Sequence, residues 1–190
     1  MFIQTEATPN PATLKFLPGI KVMETGSAEF RAGEDADASP LAQSLFAIDG
    51  VAGVFLGDDF ISVTKADGEW HHLKPMVLGA IMEHFTAGRP VIADGAEVSD
   101  GPSGTDGPQF DEADREIVDQ IVELLDTRVR PAVAQDGGDI TFQGFDKGVV
   151  YLHMRGACAG CPSSTMTLKN GIERLLQHFV PEVNEVRQIF

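Results

Sequence analysis

Two cysteines are the whole thiol inventory of this 190-residue chain, and both fall in the run GACAGCPSS, as Cys158 and Cys161. Sulfurs separated by two small residues can converge on one object: a metal ion, an iron–sulfur cluster, or each other in a redox-active disulfide. The neighbouring residues favour convergence. Gly156 and Gly160 allow sharp turns and leave the sulfurs uncovered on one side, while Pro162 suits the first position of a helix, where no N–H is lost. Cys161 is therefore expected at or just before a helix N-terminus, where free backbone N–H groups and the helix dipole lower a thiol pKa. Ser163 and Ser164 can add hydroxyl donors. Both thiolates are expected to point the same way, into solvent or a partner.

Four readings fit such a pair. Two small core residues are the plainest, but a glycine-rich loop ahead of a helix is a poor place to bury them. A thioredoxin-like dithiol oxidoreductase needs the same low-pKa thiolate. Its motif, however, belongs to a β-α-β pattern, whereas here the pair follows a β-hairpin and no peptide-binding proline strand comes after it. Zinc wants four tetrahedral ligands, and one chain offers two sulfurs, with His153 or His178 as supplements. His153 alternates with Val149 and Tyr151 on a strand and reads as a partly exposed histidine rather than a ligand. An iron–sulfur cluster also wants four thiolates, and two copies of the loop facing across a twofold axis supply them. On chemistry alone, cluster and dithiol stand level. Arg155 and Lys169 flank the loop and could offset an anionic cluster, or be ordinary surface charges. Asp136 and Asp139 in the DGGD turn read as groups that cap a strand before they read as iron or acid–base groups.

The elements that must position the loop follow from periodicity. Ile117, Ile121, Leu124 and Leu125, widened by Val118 and Val122, predict a helix over 112–129 that Pro131 stops. ITFQGF and VVYLHM alternate like two strands joined by Asp146, Lys147 and Gly148. A second helix runs on from the cysteine loop with Leu168, Ile172, Leu175, Leu176 and Phe179 in line, and VNEVRQI returns as a third strand. The order α-β-β-α-β describes a small two-layer α+β domain.

Upstream, FIQTEA and ATLKF read as paired strands around TPNP. Ser39 and Pro40 start a helix with Leu41, Leu45 and Ile48 on one face, ended by Gly50. VAGVFLGDDFISVTK reads as a hairpin. Pro75 then opens a helix whose stripe is Val77, Leu78, Ile81, Met82 and Phe85, closed by Gly88. His71, His72 and His84 read as surface or rim residues, and Trp70 as a core anchor.

The fold class is thus α+β: two small two-layer α/β-sandwich domains, 1–93 and 111–190, joined by a flexible acidic linker over 94–110. That linker, DGAEVSDGPSGTDGPQF, has no basic residue. Residues 1–93 carry 6 basic and 12 acidic side chains, 94–114 carry 0 and 7, and 115–190 carry 8 and 10, so the net charge of −15 lies mostly in the first half and the tether. Such a field opposes nucleic acid and anionic lipid. The opening residues show neither a signal nor a transit pattern, no apolar run is long enough to span a bilayer, and a lone cysteine pair suits a reducing compartment. The chain reads as cytoplasmic and bacterial, with the mature mitochondrial matrix as the second reading.

The run VRPAVAQDGGDITFQGFDKGVVYLHMRGACAGCPSSTMTLKNGIERLL, residues 129–176, resembles the C-terminal domain of the NifU-like (Nfu) iron–sulfur proteins in its DGGD turn, its G-A-C-x-G-C-P-S-S loop and its T-L-K-x-G-I-E helix. The opening FIQTEATPNPATLKFLPG resembles the second module of one branch of that family, and the module order is that of mitochondrial-type and related bacterial members. The resemblance implies a scaffold or carrier rather than an enzyme. It implies a [4Fe–4S] cluster, one per two chains, held between the subunits of a homodimer and passed to apo iron–sulfur client proteins, with [2Fe–2S] the other cluster to consider. It also implies an upstream assembly scaffold as partner, no catalytic residue, and Cys158 and Cys161 as the ligands.

Overall fold

The computed structural model describes residues 2–32, 36–94, 109–159 and 162–189, with only the backbone given for 162–164. The chain divides into two compact units, Met1–Asp100 and Gly101–Phe190, each with its own hydrophobic core. Most of the expected linker, residues 95–108, lies outside the described residues. Its last two residues belong to the second unit: Gln109 pairs with Gly144, and Phe110 packs on that unit's core.

In the first unit, β1 (Gln4–Ala7), β2 (Thr13–Leu17), β3 (Ala28–Arg31), β4 (Val51–Leu56) and β5 (Ile61–Lys65) form an antiparallel sheet in the order β1-β2-β5-β4-β3. The edge strand β3, too short to show alternation, was not foreseen. Helix α1 (Pro40–Phe46) starts as its sequence predicts, with the Ser39 hydroxyl accepting from the Ala42 N–H at 3.1 Å. Its Leu41 and Leu45 meet Val54, Leu56, Ile61 and Val63 of the sheet and Val77 and Ile81 of α2 (Trp70–Thr86). Each fully buried Val, Leu or Ile contributes roughly 1.5–3 kcal/mol.

Helix α2 departs from expectation in three ways. It starts at Trp70, so Pro75 lies inside it rather than opening it. Leu73, one turn before Val77, is buried and draws the preceding turn into the helix, while Pro75 and His71 are both exposed, leaving the carbonyl freed by proline to water. Met82 is 44% exposed and leaves the stripe, whose buried members are Leu73, Val77, Ile81 and His84. His84 is thus no rim residue. It is 1% exposed, because it stands three residues after Ile81 on the inner face. Trp70 is only partly buried, its indole N–H donating to the Pro11 carbonyl at 3.1 Å.

Burial holds the His84 pKa below its ordinary 6.5, against the opposing pull of the Pro90 carbonyl. A group whose pKa is depressed on folding stabilises the fold above its unfolded pKa and loses that contribution as pH falls through the folded one. The first unit is therefore expected to melt at lower temperature as pH falls below about 6.5. His84→Leu is expected to flatten this dependence, read from thermal melts of the two proteins at pH 7.5 and 5.

In the second unit a 3₁₀ turn (Glu112–Asp114) leads into α3 (Arg115–Leu124), a π-helical turn (Leu125–Val129) and α4 (Arg130–Gln135). Pro131 was expected to end this helix and does not. Proline removes one N–H and crowds the carbonyl four residues back; here the turn widens, with the Arg130 N–H reaching the Leu125 carbonyl five residues back, and the helix continues. Strand β6 (Gly138–Asp146) pairs antiparallel with β7 (Val149–Gly156) through the turn at Lys147 and Gly148, both at positive φ. Helix α5 (Pro162–Phe179) then crosses to β8 (Glu185–Ile189), which lies parallel to β7. Val118, Ile121, Leu125, Val133, Ile172 and Leu176 pack on Ile140, Val150, Leu152, Met154 and Val186, helices over sheet. Phe179 ends the α5 stripe outside this core, 45% exposed with Arg128 over its ring at 5.0 Å.

Candidate functional site

The loop between β7 and α5 opens at the carboxyl end of a parallel strand and the amino end of a helix. Gly156, at φ 64°, turns the chain back, and the Ala157 N–H donates to the Gly137 carbonyl at 3.1 Å. The start of the loop is thereby laced onto the DGGD turn. At its far end the Thr165 hydroxyl donates to the Cys158 carbonyl at 3.0 Å.

Cys158 is consequently buried, 6% exposed and part of the hydrophobic core. The expectation of an uncovered sulfur does not hold for it. The glycines expected to expose the sulfur instead make room for it: a Cβ on Gly138 would lie 2.7 Å from Cys158 Sγ and 2.6 Å from the Arg155 carbonyl oxygen. Burial pushes the Cys158 thiol up to about 12, with the charges of Asp136 and Asp139 adding to the shift. Cys161 and Gly160 lie outside the described residues, as do the side chains of Ser163 and Ser164.

The DGGD acids have separate tasks. Asp136 closes α4 as its C-cap residue. The Asp139 carboxylate caps the start of its strand, one oxygen accepting from the Ile140 N–H at 2.8 Å. Both oxygens also accept from Arg130, its Nε and one Nη at 2.9 Å each, while the other Nη reaches Asp126 at 3.2 Å. A two-pronged pair to a buried carboxylate is among the stronger protein hydrogen bonds. Arg130 thus ties the helix that follows the π turn to the strand on which Cys158 rests. Sequence reading missed Arg130 and Gly138; the one available signal was the doubled glycine, which a strand-capping turn alone does not require.

His153 and Arg155, expected at or near the surface, are 7% and 3% exposed, with Arg155 Nε donating to His153 Nδ1 at 3.3 Å. Arg155 is therefore no ordinary surface charge. Lys169 is half-buried and acts on Glu185 of β8. His178 is exposed beside Phe179 and stands 16 residues along α5 from Pro162, about 24 Å of helix rise from the loop. Among the described residues no group of three or more His, Cys, Asp or Glu side chains could hold a metal ion.

Two family profiles match the chain, "Scaffold protein Nfu/NifU N terminal" over residues 3–88 and "NifU-like domain" over residues 121–187. A human protein named NFU1 iron-sulfur cluster scaffold homolog, mitochondrial, is 49% identical across all of this chain and 72% of its own length. This chain belongs to the Nfu/NifU-like family. NifU-like protein 4, mitochondrial, of Arabidopsis thaliana is 51% identical over all of this chain and 66% of its own length. An NFU1 homolog of Drosophila sechellia, also named mitochondrial, is 50% identical, and the chain spans 65% of it. These names overturn the expectation of a cytoplasmic chain. A lone cysteine pair argues only for a reducing environment, and inspecting the first residues tests only the stretch present.

Within this Nfu/NifU-like chain, the buried thiol gives a direct test. With a pKa near 12, far less than a hundredth of Cys158 is thiolate at neutral pH. In Cys161→Ser without cluster, iodoacetamide at pH 8 is expected to alkylate Cys158 at least about a hundredfold more slowly in the folded than in the urea-unfolded chain, read by intact mass.

Proposed function

We propose that this chain is an iron–sulfur cluster scaffold and carrier rather than an enzyme, holding a [4Fe–4S] cluster between the loops of two copies through Cys158 and Cys161 of each. The observation that carries the reading is 49–51% identity, over all of this chain, to relatives named as cluster scaffolds or NifU-like proteins. The sequence supplies two sulfurs, so the loops of two copies would supply the four that a cluster wants. A cluster so held leaves when the dimer opens.

The competing dithiol reading gains one feature, since β7, α5 and β8 do form a β-α-β crossover. Against it, Cys158 is buried with a raised pKa, Cys161 lies outside the described residues, and the relatives named as cluster scaffolds favour the cluster reading.

Cluster-loaded protein mixed with an apo four-iron enzyme is expected to restore that enzyme's activity as the donor's visible absorbance bleaches. Transfer should run faster than the same iron and sulfide free in solution, and should persist with a chelator that traps released iron. Catalytic disulfide turnover by the cluster-free chain, with transfer no faster than free iron and sulfide give, would overturn the proposal. Iron and sulfide counts per chain decide between four-iron and two-iron cargo.

A further inference from the structure

We propose that residues 89–93 form a strap latched over His84, one that swings off the first unit when the imidazole takes up a proton while the rest of that unit stays folded. The strap begins where α2 ends. The Gly88 N–H donates to the Phe85 carbonyl at 3.1 Å, and Gly88, at φ 63°, turns the chain off the helix. Val91 and Ile92 then pack on the first unit's core. Two hydrogen bonds fasten the strap to the start of α1: the Ser39 hydroxyl donates to the Val91 carbonyl at 2.7 Å, and the Ala93 N–H donates to the Ala38 carbonyl at 2.8 Å. Ser39, fully buried, caps α1 and holds the strap with the same oxygen.

Closing the strap leaves a polar group unsatisfied. His84 is buried edge-on to the Phe85 ring at 5.5 Å, and neither of its ring nitrogens has a hydrogen-bond partner among the described residues. Such burial is unfavourable for a neutral imidazole and far more so for a charged one. The polar groups that act on the ring are the backbone of Arg89 and Pro90, so the imidazole lies against the strap itself. No carboxylate is placed to receive an imidazolium there. Helix α1, PLAQSLF, carries no charge, and the sheet presents apolar side chains to this core. Glu83 on α2, Asp37 ahead of α1 and Asp94 beyond the strap are all exposed; among the described charged groups Arg89 alone acts on the ring, and it opposes the proton.

Opening the strap is the least disruptive way to hydrate that ring. It gives up the two fastenings and the partial burial of Val91 and Ile92, whereas unfolding the unit gives up the whole core. With the strap open, His84 titrates near its ordinary 6.5, so opening is least favoured above that pH and grows by up to about tenfold per unit below it. Gly88 is the hinge. The residues released, 89–93, then join the segment that links the two units and lengthen the span between them.

Amide hydrogen exchange in the full chain without cluster, read by NMR and corrected for intrinsic rates, tests this independently of the cargo. The Ala93 amide is expected to be at least about a hundredfold less protected than the central amides of β5, because it exchanges through strap opening and they do not. Its protection is expected to fall at least tenfold from pH 7.5 to pH 5. His84→Leu, and His84→Gln, which keeps a polar tip that does not titrate, should each abolish that fall. Equal protection of Ala93 and β5 would show that the strap leaves only when the whole unit unfolds. A fall of less than tenfold in the parent chain, or a fall kept by both variants, would separate the strap from His84. Any of these results overturns the proposal.

Discussion

After anaerobic reconstitution, Cys158→Ser and Cys161→Ser are each expected to retain essentially no iron or sulfide, whereas the parent chain retains both. The effect is total rather than graded because the proposed site draws two sulfurs from each of two copies; one substitution in the sequence removes two of the four ligands. Serine at 158 also places a hydroxyl where a buried thiol lies in the core, costing about 1–2 kcal/mol, so Cys158→Ala serves as the companion that keeps the core apolar. Metal loss in both Cys158→Ser and Cys158→Ala with native circular dichroism separates ligand loss from unfolding. Normal iron retention in any of these variants would sink the shared-ligand site, and one zinc per two chains without sulfide would convert it to a structural metal site.

Gly138→Ala is expected to destabilise the second unit strongly. The new Cβ would stand 2.6 Å from the Arg155 carbonyl oxygen, 2.7 Å from Cys158 Sγ and 3.1 Å from the Cys158 nitrogen, two of the three being backbone that cannot swing aside. Overpacking against fixed atoms costs about 1–3 kcal/mol. For a unit of this size that corresponds to a fall in Tm of roughly 5–20 °C. Since Cys158 rests on this glycine, the variant should also lose cluster-loading capacity out of proportion to its stability, read as iron retained at a temperature where it is still folded. A variant that melts with the parent and loads fully would show that the cysteine loop is not seated on the DGGD turn.

What the sequence determined by itself was whatever rests on local periodicity and on residue chemistry. Alternation fixed β6 and β7, the Ser39–Pro40 pair fixed the start of α1, and the stripe Leu168, Ile172, Leu175, Leu176 fixed α5, because each is a choice the chain makes within one or two turns. The spacing and surroundings of Cys158 and Cys161 raised a metal, a cluster or a dithiol as the expected chemistry, beside the plainer reading of two core residues. Where the sequence misled, a distant partner decided. Pro131 and Pro75 break helices only if the lost hydrogen bond goes uncompensated; a π turn answers the first, and water at an exposed face the second. His84, His153 and Arg155 look like surface residues by type, yet each falls on a face that something else covers. The Cys158 loop is the sharpest case. Its glycines permit an open sulfur or a closed one equally, and only the tertiary fold, which brings Gly137 and Gly138 beneath it and ties their turn to α4 through Arg130 and Asp139, turns the thiol inward and raises its pKa. Burial of a group by residues twenty positions away in the chain has no local signature.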